Sequence, residues 1–188
     1  MATIEEIIAR LAGLSPQGLE EAQAFVEFLR RKEAQAQRAA WSFDFLENFR
    51  DAMPAASRDP GGMEIKVAPA ICAGVVRQAL WEHPPVSGSA TVGYLVPVPI
   101  GLHGIKLKFA VGIRDGAELP SDRFVAFRVL VNGWKLWSTV KNTHAWEDHA
   151  IEMPQVSSDV ARVEFVTDGM GDNRWNWAVW GTPRLEGE

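Results

Sequence analysis

The sequence predicts a mainly β protein: an antiparallel β-sandwich of the jelly-roll kind, preceded by an α-helical segment. Three observations predict it. The apolar period changes from 3.6 to 2 across residues 54–62. Asn132-Gly133 sits between two alternating runs, and Asn-Gly accepts positive φ at both central positions of a type I′ hairpin turn. Beyond residue 62 no helical pattern alternates with the strand patterns, which disfavours a parallel sheet.

Ile4, Ile7, Ile8, Leu11 and Leu14 recur at helical spacing, and Gly13 is a stop signal. Ser15-Pro16 reads as an N-cap followed by proline at the first helical position. The helix it opens carries Leu19, Ala22, Phe25, Val26 and Leu29 on one face. Acids early and bases late on the other face suit the helix dipole. Ser42 is a candidate cap for a third helix through Phe45, Leu46 and Phe49. Residues 54–62, PAASRDPGG, have no period and read as a linker. The expected division is a helical segment over 1–53, a linker over 54–62 and a sandwich over 63–188, with residues 1–53 a candidate homo-oligomerisation element.

In the sandwich, 74–81 reads as a strand that Pro84-Pro85 ends. Residues 90–100 alternate Val92, Tyr94, Val96, Val98 and Ile100, with Pro97 and Pro99 marking an edge or an end. Residues 104–113 place Leu107, Phe109 and Val111 inward and Lys106 and Lys108 outward. After a polar loop over 114–122 comes the hairpin. An uninterrupted register pairs Val131 with Trp134, Val129 with Leu136 and Arg128 with Trp137. That puts Trp134 and Leu136 in the core and Arg128 beside Trp137 on a half-wet face, as a cation–π pair or a sugar-stacking platform. Strands follow over 146–153, 160–167 and 175–180, with Ile151, Met153, Val163 and Phe165 inward.

A net charge of −5 over 188 residues disfavours nucleic-acid binding. No run of about 18 apolar residues spans a bilayer, and no charged-then-apolar leader opens the sequence, so the expected location is cytoplasmic. Cys72, the one cysteine, lies in an apolar run and reads as a buried small hydrophobe. Eight Trp against one Tyr direct attention to stacking surfaces.

His144 and His149 crowd Glu147 and Asp148. They read as a polar loop or, alternatively, a metal cluster, without the helical spacing or cysteine pair that would support one. Asp168-Gly169-Met170-Gly171-Asp172-Asn173 reads as a glycine-rich turn, with Asp168 and Asp172 as a calcium candidate that lacks the ligand order of an EF-hand. No nucleophile elbow, phosphate loop or dinucleotide fingerprint occurs, and an enzyme is not expected.

Several stretches carry a family resemblance: Leu80-Trp81-Glu82-His83-Pro84-Pro85, Val96-Pro97-Val98-Pro99, residues 107–116, residues 124–133, Trp146 ahead of Ile151, residues 163–168, and Trp177-Ala178-Val179-Trp180-Gly181-Thr182-Pro183. On them, residues from about 70 to 185 resemble carbohydrate-binding modules with a galactose-binding-like jelly roll. The likeness is to the kind named for its place beside glycosidases (NPCBM-like) and to related sugar-binding domains of bacterial proteins. The resemblance implies that Trp146, Trp177 and Trp180 are fold-defining and mostly buried. It also puts Asn176 where such modules often carry an aspartate, which weakens an ion contact there. Residues 14–32 resemble a short helical motif of small bacterial proteins of unknown function.

A sugar site needs a flat aromatic face and polar groups for the hydroxyls. Loops 81–88, 141–149 and 168–175 could supply both at one end of the sandwich. The candidate ligand-binding residues are Trp137, Trp175 and Trp146 as faces, with Arg128, His144, Asp148, Asp172, Asn173 and Arg174 around them. Two readings follow. One is a non-catalytic glycan-binding module with a helical self-association arm. The other is a structural or assembly protein that uses the jelly roll as scaffold and the N-terminal helices for contacts with itself or another protein.

Overall fold

The structure, a computed structural model, describes residues 11–99, 102–154 and 159–187; within its helix, the side chains of 28, 29 and 31–40 are not described. Residues 3–10 of the first expected helix therefore lie outside the described residues. The chain divides into two compact units at Trp41/Ser42. The first contains helix α1, Pro16–Ala40. As expected, Ser15 caps it, its Oγ accepting from the Gly18 N–H at 3.2 Å with proline next in line. Among the described residues no helix is long and apolar enough to cross a membrane.

The second unit is the antiparallel sandwich, built from β1 (Ser42–Asp44), β2 (Met53–Ala56), β3 (Glu64–Cys72), β4 (Val75–His83), β5 (Ser89–Pro97), β6 (Ile105–Ile113), β7 (Val125–Val131), β8 (Trp134–Lys141), β9 (Glu147–Glu152), β10 (Val160–Asp168) and β11 (Ala178–Gly187). One sheet runs β3-β4-β11-β6-β9, with β1 also on β11; the other runs β2-β5-β10-β7-β8. All pairs are antiparallel.

Of the third helix expected through Phe45, Leu46 and Phe49, only a 3-10 turn at Phe49–Asp51 forms, and the sandwich starts earlier than the expected boundary. Ser42–Asp44 pairs with the end of β11, and Met53–Ala56 pairs with β5. The reason is Phe45. It is 0 % exposed and meets Tyr94 and Phe165 edge-on, each at 4.9 Å. A helix would satisfy its own backbone, but the strand buries this ring in the core, and Asp44 Oδ1 caps the turn through Leu46 N at 2.7 Å. The last strand is longer than expected and starts later, at Ala178, with a register shift between Gly181 and Arg184 that accommodates Pro183.

From Phe45 the core continues as an aromatic chain. Phe165 meets Trp180 at 5.0 Å, and Trp180 meets Phe127 at 5.2 Å and Phe109 at 5.5 Å. The Trp180 indole N–H donates to Glu82 Oε2 at 2.5 Å, inside the sandwich. Glu82 is 0 % exposed and its Oε1 has no partner among the described residues.

The hairpin turn forms as expected, with φ +51 at Asn132 and +82 at Gly133. Its expected register does not persist. Val131 faces Trp134 and Leu130 faces Lys135, but a bulge then shifts the pairing, so Val129 faces Trp137 and Arg128 faces Ser138. Because strand side chains alternate, one extra residue turns Trp137 to the core face. There it packs on Phe109 at 4.9 Å and on His149 at 4.5 Å. Trp134, expected in the core, is 82 % exposed.

Two predictions follow from this core. In urea melts, Trp137→Ala should cost about 3 kcal/mol and Trp134→Ala less than about 0.5 kcal/mol; the reverse order would restore the unshifted register. The second concerns Glu82, whose carboxyl burial pushes well above the ordinary 4.5, against the pull of the Trp180 N–H and the Thr167 backbone. The fold thus keeps it neutral where the unfolded chain ionises it. Its contribution is full below the unfolded value and declines as pH rises toward the folded one. Glu82→Gln has no proton to lose, so its stability relative to the native chain should improve by up to about 1.4 kcal/mol per pH unit in that window. Melts at about pH 4 and about pH 8 read this, and a gap that does not change with pH means an ionised core carboxylate.

Candidate functional site

One end of the sandwich gathers the end of β4, the loop into β3, the loop from β10 to β11 and the end of β6. A cleft of about 400 Å³ opens there, lined by Gly62, His83, Asn173, Arg174, Trp175 and Trp177. Trp175 and Trp177 stand 5.5 Å apart, inclined at 52°. Trp175 has φ +65, uncommon for a bulky side chain, and such strain gathers at binding sites. Consecutive tight turns hold it there: Trp177 N bonds Trp175 O at 2.8 Å and Ala178 N bonds Asn176 O at 2.7 Å.

The loop is locked by its own polar groups. Asp168 Oδ1 accepts from Met170 N at 2.8 Å, and Asp172 Oδ1 accepts from Arg174 N at 2.9 Å. The Arg174 guanidinium lies against the Asp172 carboxylate at 2.7 Å, and Arg123 meets it at 2.9 Å. Hydrogen bonds from Arg174, then the Arg123 charge, hold that carboxyl well below the ordinary carboxylate range. Buried Asn176 donates its amide to the carbonyls of Gly169 and Asp172. Asp168 pairs with Arg128 at 3.5 Å. A calcium ion on Asp168 and Asp172 would have to displace guanidinium groups, and the Asn176 amide already takes two carbonyls of this loop.

His83 faces the same cleft. Its Nδ1 lies 2.8 Å from the Asn176 carbonyl oxygen. A carbonyl only accepts, so Nδ1 carries the proton and Nε2 of the neutral ring is an acceptor. Burial holds its pKa below 6.5, so the ring is neutral at pH 7. Beside it, Arg114 follows β6 and donates its backbone N–H to Trp177 O at 3.0 Å. Its guanidinium carbon lies 3.4 Å from the centre of the Trp81 ring and 5.0 Å from that of Trp177.

The other expected site residues go elsewhere. Trp137 is half-buried on the core face against Phe109 and His149, and Arg128 serves Asp168 on the outer face of its sheet. Trp146, His144 and Asp148 serve the β3–β4 hairpin, which folds over the outer face of the first sheet. Trp146 lies against Gly112 and Gly181, where a Cβ would fall 2.9 Å and 3.0 Å from its ring. Its indole N–H donates to Val75 O at 2.9 Å. Arg77 reaches from the hairpin to Asp148 at 2.5 Å. His144 Nδ1 lies 3.1 Å from Ile113 O. Asp115 accepts from Ala73 N at 2.7 Å and Gly74 N at 2.8 Å, closing the hairpin tip. Cys72 is buried beneath it, its thiol pushed up to about 12 by burial.

The metal alternative fares no better. Glu147 pairs with Lys141, and His149 turns inward onto Trp137. No three metal-ligating side chains converge among the described residues. The structure thus brings together three of the expected residues, Asn173, Arg174 and Trp175, with Asp172 behind them. It adds His83, which belongs to the 81–88 loop expected to face a sugar but not to the candidate ligand-binding residues, and Trp177, which the resemblance makes fold-defining and buried. The density of Trp around 175–180 was the available signal; Gly62 and Arg114 carried none.

No protein-family model and no curated protein sequence matches the chain. Solved structures do match it in fold. CBM51 from Clostridium perfringens GH95, solved with methyl-galactose, is 11% identical; the match covers 77% of this chain and 99% of that one at a TM-score of 0.53. CBM27-1 from Caldicellulosiruptor saccharolyticus, solved with mannohexaose, is 13% identical over 79% of this chain and 97% of that one, at 0.52. The K1 cleaved adhesin domain of Lys-gingipain from Porphyromonas gingivalis is 13% identical over 79% and 98%, at 0.53. At such identities the likeness is one of fold: this chain shares the antiparallel jelly-roll sandwich of these structures.

Proposed function

We propose that the chain is a non-catalytic glycan-binding module whose site is the cleft of Trp175, Trp177, His83, Asn173 and Arg174. The observation that carries this is the pair of inclined indoles 5.5 Å apart on a cleft of about 400 Å³. An indole face covers the apolar C–H side of a pyranose, and the neutral His83 Nε2, the Asn173 amide and Arg174 exchange hydrogen bonds with hydroxyls. Support also comes from modules of the same fold solved with methyl-galactose and mannohexaose. Among the described residues the cleft lining contains no carboxylic acid, whereas glycoside cleavage ordinarily uses a pair of them.

The test is a titration of the full chain with a panel of methyl glycosides, read by tryptophan fluorescence and calorimetry. Trp175→Ala and Trp177→Ala should each weaken the best ligand roughly tenfold, while Trp134→Ala on the far hairpin should leave it unchanged. Full affinity in both cleft variants would remove the site from this cleft.

The assembly reading rests on a different observation. Leu19 and Val26, seven residues apart and so on one stripe of α1, are 46% and 45% exposed. A second copy of the chain would cover that stripe as a short helical seam. Light scattering should then show an oligomer that Leu19→Glu with Val26→Glu dissociates; a native monomer at all concentrations removes this reading.

A further inference from the structure

Arg77, Arg123, Arg128 and Arg184 are half-buried arginines of the sandwich, and each holds a carboxylate: Asp148, Asp172, Asp168 and Glu186. Arg114 is also half-buried but holds none. Among the described residues its guanidinium has no ion pair and no hydrogen bond; it lies over Trp81 and near Trp177, with the Glu64 charge supporting it from beyond ion-pair distance. Neighbouring acids are committed elsewhere. Asp115, next in the chain, turns to the backbone of Ala73 and Gly74. Glu64, across the strand end, bonds Lys66 Nζ at 2.6 Å. The Lys66 ammonium of that pair lies 4.0 Å from the Trp81 ring centre.

Stacking covers the faces of a guanidinium and leaves its N–H edges, five donors in a fixed fork, for an acceptor in the same plane. Partial burial disfavours the Arg114 charge, and the Glu64 charge and the indole faces offset that only in part. A carboxylate satisfies both needs at once, since it accepts two parallel N–H bonds and supplies the opposite charge. The position suits a ligand of the cleft. Trp177 lines the cleft and touches Arg114, whose charge is felt at His83, another lining residue.

We propose that the ligand of this cleft is an acidic saccharide, a pyranose bearing a carboxylate, and that Arg114 is the residue that meets the carboxylate. This rests on the glycan reading above and adds the charge class of the sugar. Trp175 and Trp177 then hold the ring, and the Trp81–Arg114–Trp177 stack sets which substituent is preferred.

The experiment compares sugars that differ only in a C6 hydroxymethyl or carboxylate group: galactose against galacturonate, and glucose against glucuronate. The methyl glycoside of N-acetylneuraminic acid is a third arm. Calorimetry on the full chain at roughly 20 mM salt should show the acid of a pair bound roughly tenfold tighter or more. The preference should shrink at about 0.5 M salt. Arg114→Gln should abolish the difference between the two members, and Arg114→Lys should keep only part of it, having charge without the fork. Whichever acid shows the tighter, Arg114-dependent binding identifies the source of the carboxylate. Because Arg114→Gln removes a stacked group, its melting is measured in parallel; if it unfolds, the salt dependence and paired comparison in the native chain decide alone. Equal affinity for neutral and acidic sugars, or a preference that survives in folded Arg114→Gln, overturns the assignment while leaving the glycan reading intact. Failure of every sugar to bind overturns both.

Discussion

The hydrogen bond from Trp180 to Glu82 organises the molecule. A fully buried indole has one donor, and leaving it unmade costs on the order of 1–3 kcal/mol. Here the acceptor is a carboxyl equally out of water, which must stay protonated to be tolerated. That bond ties β11 to β4. The backbone carbonyl of Glu82 accepts from Thr167 Oγ1 at 2.7 Å, which ties in β10 from the opposite sheet. One buried residue therefore connects three strands belonging to two layers.

Those three strands also deliver the cleft. On β4 the alternation of side chains sends Glu82 inward and Trp81 and His83 outward. Trp177 stands just ahead of β11, three residues before Trp180. β10 ends at Asp168 and launches the loop with Asn173, Arg174 and Trp175. The site is built from chain segments each a few residues from the core anchor. Its geometry inherits the rigidity of the sandwich rather than that of a free loop. The loop adds its own restraint through Asp172, Asn176 and the turns that hold Trp175 at positive φ.

How much of this could be read beforehand divides along physical lines. Strands with one buried face announced themselves by alternation, as did the Asn-Gly turn and the Ser-Pro helix start, because each depends on local chemistry. What stayed hidden was set by partners far away in sequence. Phe43 and Phe45 have helical neighbours on paper, but β11 and the core claim them. β3 gives no alternating signal because it is an edge strand with Pro69 in its middle, and its Ala73-Gly74 turn uses an alanine at φ +48, which no turn rule favours. The bulge in β8 is a single extra residue, yet it exchanges the roles of Trp134 and Trp137. Counting tryptophans pointed to the loop that lines the cleft; deciding which ones pack and which ones line it required the register. Trp146 illustrates the same limit. It needs Gly112 and Gly181 beneath it and a hairpin above it, and all three come from separate segments.

The fold alone leaves the ligand open, since the same jelly roll serves modules solved with different sugars and an adhesin domain. Discrimination has to come from residues that the scaffold does not require. The core anchor, the capped loop and the hairpin strap are explained by burial and hydrogen bonding within the chain. Arg114 is not. An apolar residue there would still pack on Trp81 and Trp177 and would spare the cost of half-burying a charge. A half-buried guanidinium with no ion pair or hydrogen bond among the described residues is the group whose energetics an outside partner would improve. On the proposal above, the cleft beside it is the way in, and a guanidinium fork over an indole favours a ligand group that is flat, anionic and able to accept two hydrogen bonds at once.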